Sequence, residues 1–467
     1  MLTVAPMPAE KCAYALARYS RSPDSIAKSL EWVRTHDESK FLDSFYFQYG
    51  HASIADLGHV VLCFEGVSEL AATELEDEQL WDGQARSSRY QDFGSSGFIT
   101  PPELEGNALY AETGTALLAA YREMHARAVE HLTERLPRPE AMKPDAYQRN
   151  IAARAFDIAR YCLFWGIPTG VGQVTSIRTL ERQIRRLKTS EYAEVRDLGA
   201  EAATACQEPA AVTLDGTPAT VPFAPTLAKY VDADEHVLQS RADVALWAAH
   251  NIPTSLNASV PDVDLLEPRC PESDIAATLV YPSATIPYRA LLTFFEDHAG
   301  LRRDVIDTAL RSRKRRDDLL REFRGGPFVY DIVMDIGAYR DLHRHRRCQQ
   351  YRQAYGTHLG YAKPDAIAQA GLLELYSGIM ERTFSAIEQL PAPGSHYLLP
   401  FAANARFLFK MDFAEAEYIS RLRSGVKGHF SYRRIAWEMK RKMESLRPEL
   451  GRLIEATPPE EEDPLQR

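Results

Sequence analysis

Along the chain, stretches with apolar residues at helical spacing alternate with short continuous apolar runs, a pattern of long helices packed on strands. Residues 23–48 are amphipathic and predict a helix turning Phe41, Phe45, Tyr46 and Phe47 toward a core, before His51-Ala52-Ser53 breaks the pattern. Val60–Phe64 predicts a strand ending at Gly66, and Ser68 then offers an N-cap to a helix reaching Gln79. Long helices are predicted over 108–136, 145–163 and 175–203, the last bearing Arg178, Arg182, Arg185, Arg186 and Arg196. Further on, 311–324 reads as a charged, exposed helix, and Phe328–Gly337 as a buried strand or helix start. Residues 364–389 and 413–443 read as helices.

The pattern occurs twice. Residues 6–19 resemble 268–281, Arg160–Leu163 resembles His396–Leu399, and Glu194–Leu198 resembles Ser431–Ile435, at offsets of 262, 236 and 237. The anchors keep their order, so the first copy carries about thirty more residues in its middle. Pro209, Gly216, Pro218, Pro222 and Pro225 interrupt any regular element in 207–235 and mark the joint. The expected division is a first repeat over 1–226, a linker over 227–241, a second repeat over 242–450 and an acidic, disordered tail over 451–467.

Composition narrows the partners. At 467 residues the chain is longer than one hydrophobic core usually supports. A net charge of −10 argues against a general nucleic-acid coat, which must neutralise many phosphates. No apolar run is long enough to span a bilayer and Met1–Pro6 is not leader-like, so a cytoplasmic protein without a membrane partner is expected. The six cysteines are scattered without a CxxC pair, which favours reduced thiols over a zinc cluster or disulfide frame.

Against this acidic background residues 340–356 hold five arginines and two histidines. Such a run is often a solvated face, but here an apolar run delivers it toward an interior. Guanidinium forks suit phosphate oxygens and stack on flat rings. His343 and His345 have a spacing that would hold a metal on a strand, but Arg344, Arg346 and Arg347 would repel a cation, so no metal is expected. In the first half, Gly83–Tyr90 forms a loop rich in hydroxyls and arginine. No Walker loop, GxGxxG, GxSxG or HExxH occurs, leaving a set of side chains suited to holding a planar phosphorylated ligand.

Arg344-His345-Arg346 resembles the start of the signature of the flavin-dependent thymidylate synthases, an Arg-His-Arg run followed by spaced Ser, Asn, Glu, Ser and Arg. The first-half loop resembles the end of the same signature, with Gln84 at the Asn position, Ser87 at the second Ser and Arg89-Tyr90 at its close. His51-Ala52-Ser53 is similar to a His-x-Ser segment of the family, and Gly66-Val67-Ser68 to the segment entering the signature. Arg178 and Arg196 resemble arginines placed around the nucleotide, and Arg433 matches the second of these. Each half departs from the pattern. Asp77, Glu78 and Gln79 replace Arg-His-Arg in the first half and Ala85 replaces the Glu, while Gln349, Tyr351, Arg352, Ala354 and Gly356 replace the tail in the second.

The resemblance implies an α/β (α+β) chain of two tandem synthase-like domains, each a mixed sheet packed with long helices. It implies FAD as cofactor, with NADPH and methylene-tetrahydrofolate as further family ligands, and a homodimer imitating the family tetramer. At a composite site, Arg178 and Arg196 would be catalytic, and Arg344, His345, Arg346, His51 and Ser53 would bind the flavin. Gln84, Arg86, Ser87, Ser88, Arg89 and Arg433 would bind a pyrimidine nucleotide, dUMP by family default, converted to dTMP. Because both copies lack signature residues, the alternatives are a flavoenzyme with another substrate, or a noncatalytic flavin- or nucleotide-binding homologue. Nucleic-acid binding through 311–324 and 340–352 is a further reading, disfavoured by the interspersed Asp317, Asp318, Glu322 and Asp341.

Overall fold

The duplication expected from the sequence is visible in the strand order. The structure, a computed structural model, describes residues 7–20, 22, 25–42, 52–89, 91–213, 216–253, 255–256, 259–314, 317–463 and 465. Its strands are β1 (His59–Ser68), β2 (Asp82–Ala85), β3 (Pro168–Ser176), β4 (Val263–Leu266), β5 (Phe328–Asp335), β6 (Gln349–Arg352) and β7 (Asn404–Met411). One sheet runs β1-β3-β2 and the other β4-β5-β7-β6, so β1, β3 and β2 correspond to β5, β7 and β6. The register is shared as well: Asp82 faces Val174 as Gln349 faces Lys410. The second sheet is antiparallel throughout, where a mixed sheet was expected.

The repeat extends to single hydrogen bonds. Ser68 caps its helix by accepting from Ala71 N–H, and Asp335 accepts from Ala338 N–H at the equivalent helix start. Leu70 N–H bonds to Trp165 O as Gly337 N–H bonds to Phe401 O. The two copies also bond to each other reciprocally, Trp165 N–H to Leu399 O and Phe401 N–H to Leu163 O. Residue i meeting j while j's counterpart meets i's is what an internal two-fold relation requires.

Packing divides the chain into two compact units that interleave in sequence. The first comprises the described residues within 1–67, 74–86 and 169–235, and the second those within 68–73, 87–168 and 236–467. Residues 68–73 and 87–168, in the first repeat by sequence, thus pack with the second. In that unit the helices Glu235–Asn251, Pro271–Val280, Tyr288–Asp297 and Ala299–Leu310 build a core over Val329 and Leu408. Near-complete burial along β5 and β7 explains why their apolar residues do not alternate with polar ones. In the first unit Tyr14, Ala15 and Val33 form a smaller cluster.

Several expected elements change. The helix over 23–48 appears as Ile26–Thr35 and Ser39–Leu42, while Phe45, Tyr46, Phe47, His51 and Tyr90 lie outside the described residues. The 175–203 helix is the end of β3 followed by Ile177–Lys188 and Ala193–Ala205. Alternating Thr169, Val171, Gln173 and Thr175 are buried as a strand, and Ser176 caps the first of these two helices. Of the charged helix over 311–324, only the single turn Arg321–Phe323 is helical among the described residues, because that stretch has no apolar stripe to bury. The helix Glu235–Asn251 begins inside the expected linker. In the described part of the acidic tail, Ile454 is buried after the helix Pro448–Gly451, and residues within 457–463 hydrogen-bond to other parts of the second unit.

Candidate functional site

β5 sets the site by ending at Asp335, whose carboxylate caps the helix Ile336–Leu342 and accepts a bond from Ser431 Oγ. That helix releases the arginine-rich turn. His343 is buried, its Nδ1 shared by Tyr339 OH at 2.9 Å and Gln350 Oε1 at 3.1 Å. His345 is 5% exposed; Arg423 Nε donates to its Nε2 at 2.7 Å, and Glu415 lies 3.5 Å from its Nδ1. Burial lowers the His345 pKa in spite of Glu415, so the ring is neutral and positions the turn. Arg344 is exposed and Arg346 half-buried.

The first-repeat loop meets this turn within the second unit. Arg340 Nη1 donates to Ser88 Oγ at 2.9 Å, and its Nη2 pairs with Glu69 at 2.6 Å. Arg89, 9% exposed, donates from Nε to Asp157 Oδ1 at 3.0 Å, from Nη1 to Tyr432 OH at 2.9 Å and from Nη2 to Lys427 O at 3.1 Å. Ser87 Oγ accepts from Arg89 N–H at 3.3 Å. Burial alone would raise the Asp341 carboxyl, but Arg160, Arg89, Arg423 and Arg340 together hold it below the ordinary carboxylate range. Asp341 thus ties both parts of the signature electrostatically.

Beside this network lies a cavity of about 880 Å³, inside the range that holds nucleotide-sized ligands. Asp157 belongs to both, accepting from Arg89 and lining the cavity. Arg135, Arg154, Lys363, Arg433 and Arg434 supply cationic groups to the wall, Asp157, Asp262, Asp335, Asp365 and Glu462 supply carboxyl groups, and Tyr361 and Phe430 supply flat faces. Tyr161 and Phe430 stack with ring centroids 6.0 Å apart. Burial raises the Asp335 pKa and pushes the Tyr161 phenol up, keeping Tyr161 a neutral donor. Burial lowers the pKa of both Arg154 and Arg433; Arg89 adds to this at Arg154 and Arg154 at Arg433, while Glu462 opposes it at both.

Of the residues expected at a composite site, Ser87, Ser88, Arg89, Arg344, His345, Arg346 and Arg433 fall in the second unit, and Arg433 lines the cavity. Gln84, Arg86, Arg178, Arg196 and Ser53 fall in the first. There Gln84, Arg86 and Ser53 are exposed, Arg178 pairs with Asp56 at 2.9 Å, and Arg196 donates to the Ser190 and Glu191 carbonyls. His51 is outside the described residues. In place of the signature's cations, Glu78 holds Arg186 at 2.8 Å, so the charge reversal has a structural use. Arg154, Tyr161, Lys363 and Phe430 line the cavity and are not among the residues expected from the sequence. Arg154, Asp157 and Tyr161 lie at helical spacing among buried positions along Pro144–Cys162, and charge on an inward face is the signal that marks them.

A family model described as thymidylate synthase complementing protein matches residues 3–210 and 276–449. The UPF0159 protein of Chlamydia muridarum is 26% identical over 455 residues, 91% of this chain and 80% of the relative. That of Chlamydia pneumoniae is 26% identical over 433 residues, 88% and 78% of the two chains. A UPF0159 protein of Thermoplasma acidophilum is 33% identical over 147 residues, 30% of each chain. The crystal structure of flavin dependent thymidylate synthase ThyX from Helicobacter pylori, complexed with FAD and dUMP, aligns at 13% identity with a TM-score of 0.27, covering 42% of this chain and 89% of that one. With both halves matched and the same strand order in each, this chain belongs to the thymidylate synthase complementing protein family, the flavin-dependent thymidylate synthases, and carries the family's pattern twice in tandem.

Proposed function

We propose that the cavity of the second unit binds a pyrimidine nucleotide, dUMP by family default, and that the chain is an FAD-dependent enzyme methylating it to dTMP. The observation that carries this reading is the cavity wall, where the Arg154 and Arg433 guanidiniums stand at one end as donors for a phosphate and the half-buried Tyr361 and Phe430 offer faces for a base. Arg89 supports the wall from behind by fixing Asp157. The flavin would supply hydride chemistry, with NADPH as reductant and methylene-tetrahydrofolate as carbon donor.

The residues present fit a flavin in part. Arg344 and Arg347 are exposed and open to a pyrophosphate, whereas His345 is enclosed by Arg423 and Glu415 and serves by holding the turn. By the family resemblance, Arg178 and Arg196 would be catalytic, and a homodimer would imitate the family tetramer. Among the described residues no helix is long and apolar enough to cross a membrane, and a cytoplasmic location belongs to the same reading.

Flavin absorbance of the purified protein, dUMP titration calorimetry, and tritium release from 5-labelled dUMP with FAD, NADPH and methylene-tetrahydrofolate test the proposal. Absence of dUMP binding to the flavin-loaded protein sinks it. Binding without tritium release selects a noncatalytic homologue or a changed substrate. That second reading is favoured by Arg89, which spends its donors on Asp157, Tyr432 and Lys427, and by Ala85 and Arg352 at the signature Glu positions.

A further inference from the structure

Arg433 lines the cavity yet is only 2% exposed, because the chain's own C-terminal segment lies across it. Ile454 is the last buried apolar side chain among the described residues. Thr457 N–H then bonds to Ser424 Oγ at 2.9 Å and starts a strap. Arg433 Nη2 donates to the carbonyls of Pro458 at 3.2 Å and Glu461 at 2.7 Å, and Arg154 Nη2 to that of Asp463 at 2.8 Å. Pro459 and Glu462 complete this part of the wall.

The strap is a poor permanent partner for two guanidiniums. It offers them neutral carbonyl oxygens, and charge-assisted bonds to ionised oxygens are roughly twice as strong. Its carboxylates act at longer range, Glu462 and Asp463 on Arg154 and Glu462 and Glu461 on Arg433. Glu460, Glu461, Glu462 and Asp463 are themselves exposed. A segment held by a few polar bonds, with no buried apolar anchor after Ile454 among the described residues, belongs to the low-stability end of a fold.

We propose that residues 457–463 are a built-in competitor for the cavity's anionic ligand: a phosphate monoester reaches Arg154 and Arg433 by displacing the strap. This rests on the nucleotide reading of the cavity and adds its regulation. The strap's charge disfavours anions that offer only one ionised oxygen, while a phosphate dianion can bond both arginines at once. The apparent affinity of the full chain is then reduced by the fraction of molecules whose strap is in place.

Hydrogen–deuterium exchange on the full chain tests this, with dUMP and inorganic phosphate as separate probes. A second protein carries Glu460→Gln, Glu461→Gln, Glu462→Gln and Asp463→Asn together. The expected result is that dUMP strips protection from the amides of 457–463 and that the neutralised variant, which keeps the backbone carbonyls but loses the long-range carboxylate repulsion, binds dUMP several-fold tighter at low salt, a gain that shrinks as salt is added. If dUMP binds while those amides keep or gain protection, the strap is a fixed wall and the proposal is overturned, leaving the nucleotide reading intact. If phosphate releases the strap but dUMP does not bind, the nucleotide reading falls and the competitor stands. If neither probe binds either protein, both fall.

Discussion

Arg89 Nη1 donates to the hydroxyl of Tyr432 at 2.9 Å across 343 positions of sequence, while its Nε holds Asp157. A first-repeat signature arginine is therefore fastened to a second-repeat helix. Replacing it by alanine leaves Asp157 buried beside the cavity without its main partner. Arg89→Ala should cost about 3–5 kcal/mol in urea unfolding, the scale for breaking a buried pair. Adding Asp157→Asn should recover part of that loss. A loss under about 1 kcal/mol would mean the pair contributes little to the fold.

Exposure separates two neighbours in the arginine-rich turn. Arg344→Ala removes an exposed cation and should leave the melting temperature unchanged while weakening FAD binding about tenfold or more, read from flavin absorbance. His345→Ala removes the ring enclosed by Arg423 and Glu415 and should lower the melting temperature by several degrees. The opposite assignment of effects would make His345 the ligand contact.

His429 gives a pH signature. Its Nδ1 accepts from Ser431 N–H and its Nε2 meets Asp157 O. Burial, then the Arg160, Arg89 and Arg154 charges, hold its pKa well below the usual histidine value. The folded state keeps it neutral while the unfolded chain protonates near pH ~6.5. Its contribution is therefore present above that pH and lost as pH falls toward the folded value, at up to about 1.4 kcal/mol per pH unit. His429→Asn keeps an N-cap but not the titration, so its stability should vary less between about pH 7 and pH 5 than that of the unaltered protein.

The charge-reversed signature position in the first repeat is also testable. Glu78 and Arg186 meet at 2.8 Å with side chains 11% and 21% exposed. Glu78→His, which restores the family residue, should destabilise the first unit by about 1–2 kcal/mol in urea unfolding, as expected for losing a charge-assisted hydrogen bond. No loss would indicate that the acidic residue merely tolerates its place.

For the cavity itself, Arg433→Ala and Arg154→Ala should each weaken dUMP binding by about tenfold to a hundredfold in calorimetry, the worth of one hydrogen bond to a charged group. Circular dichroism should remain that of the unaltered protein. Equal dUMP affinity in both variants would remove the cavity from consideration.

Sequence alone determined the repeat, the strand entering the first signature, a buried apolar run entering the second and the location of cationic density, because these depend on local periodicity and on residues close together in the chain. The Ser68 cap and the β5 run were legible for that reason. The charged stretch over 311–324 misled, since charge density resembles a helical surface whether or not an apolar face exists to hold it. Only the tertiary structure decided that Ser88 and Arg89 fall in the second unit and Gln84 and Arg86 in the first, and that Arg154 and Arg433 share one cavity with the tail across them. Those outcomes depend on which distant surfaces bury one another, and a guanidinium looks the same in a sequence whether it meets solvent, a carboxylate or a backbone carbonyl.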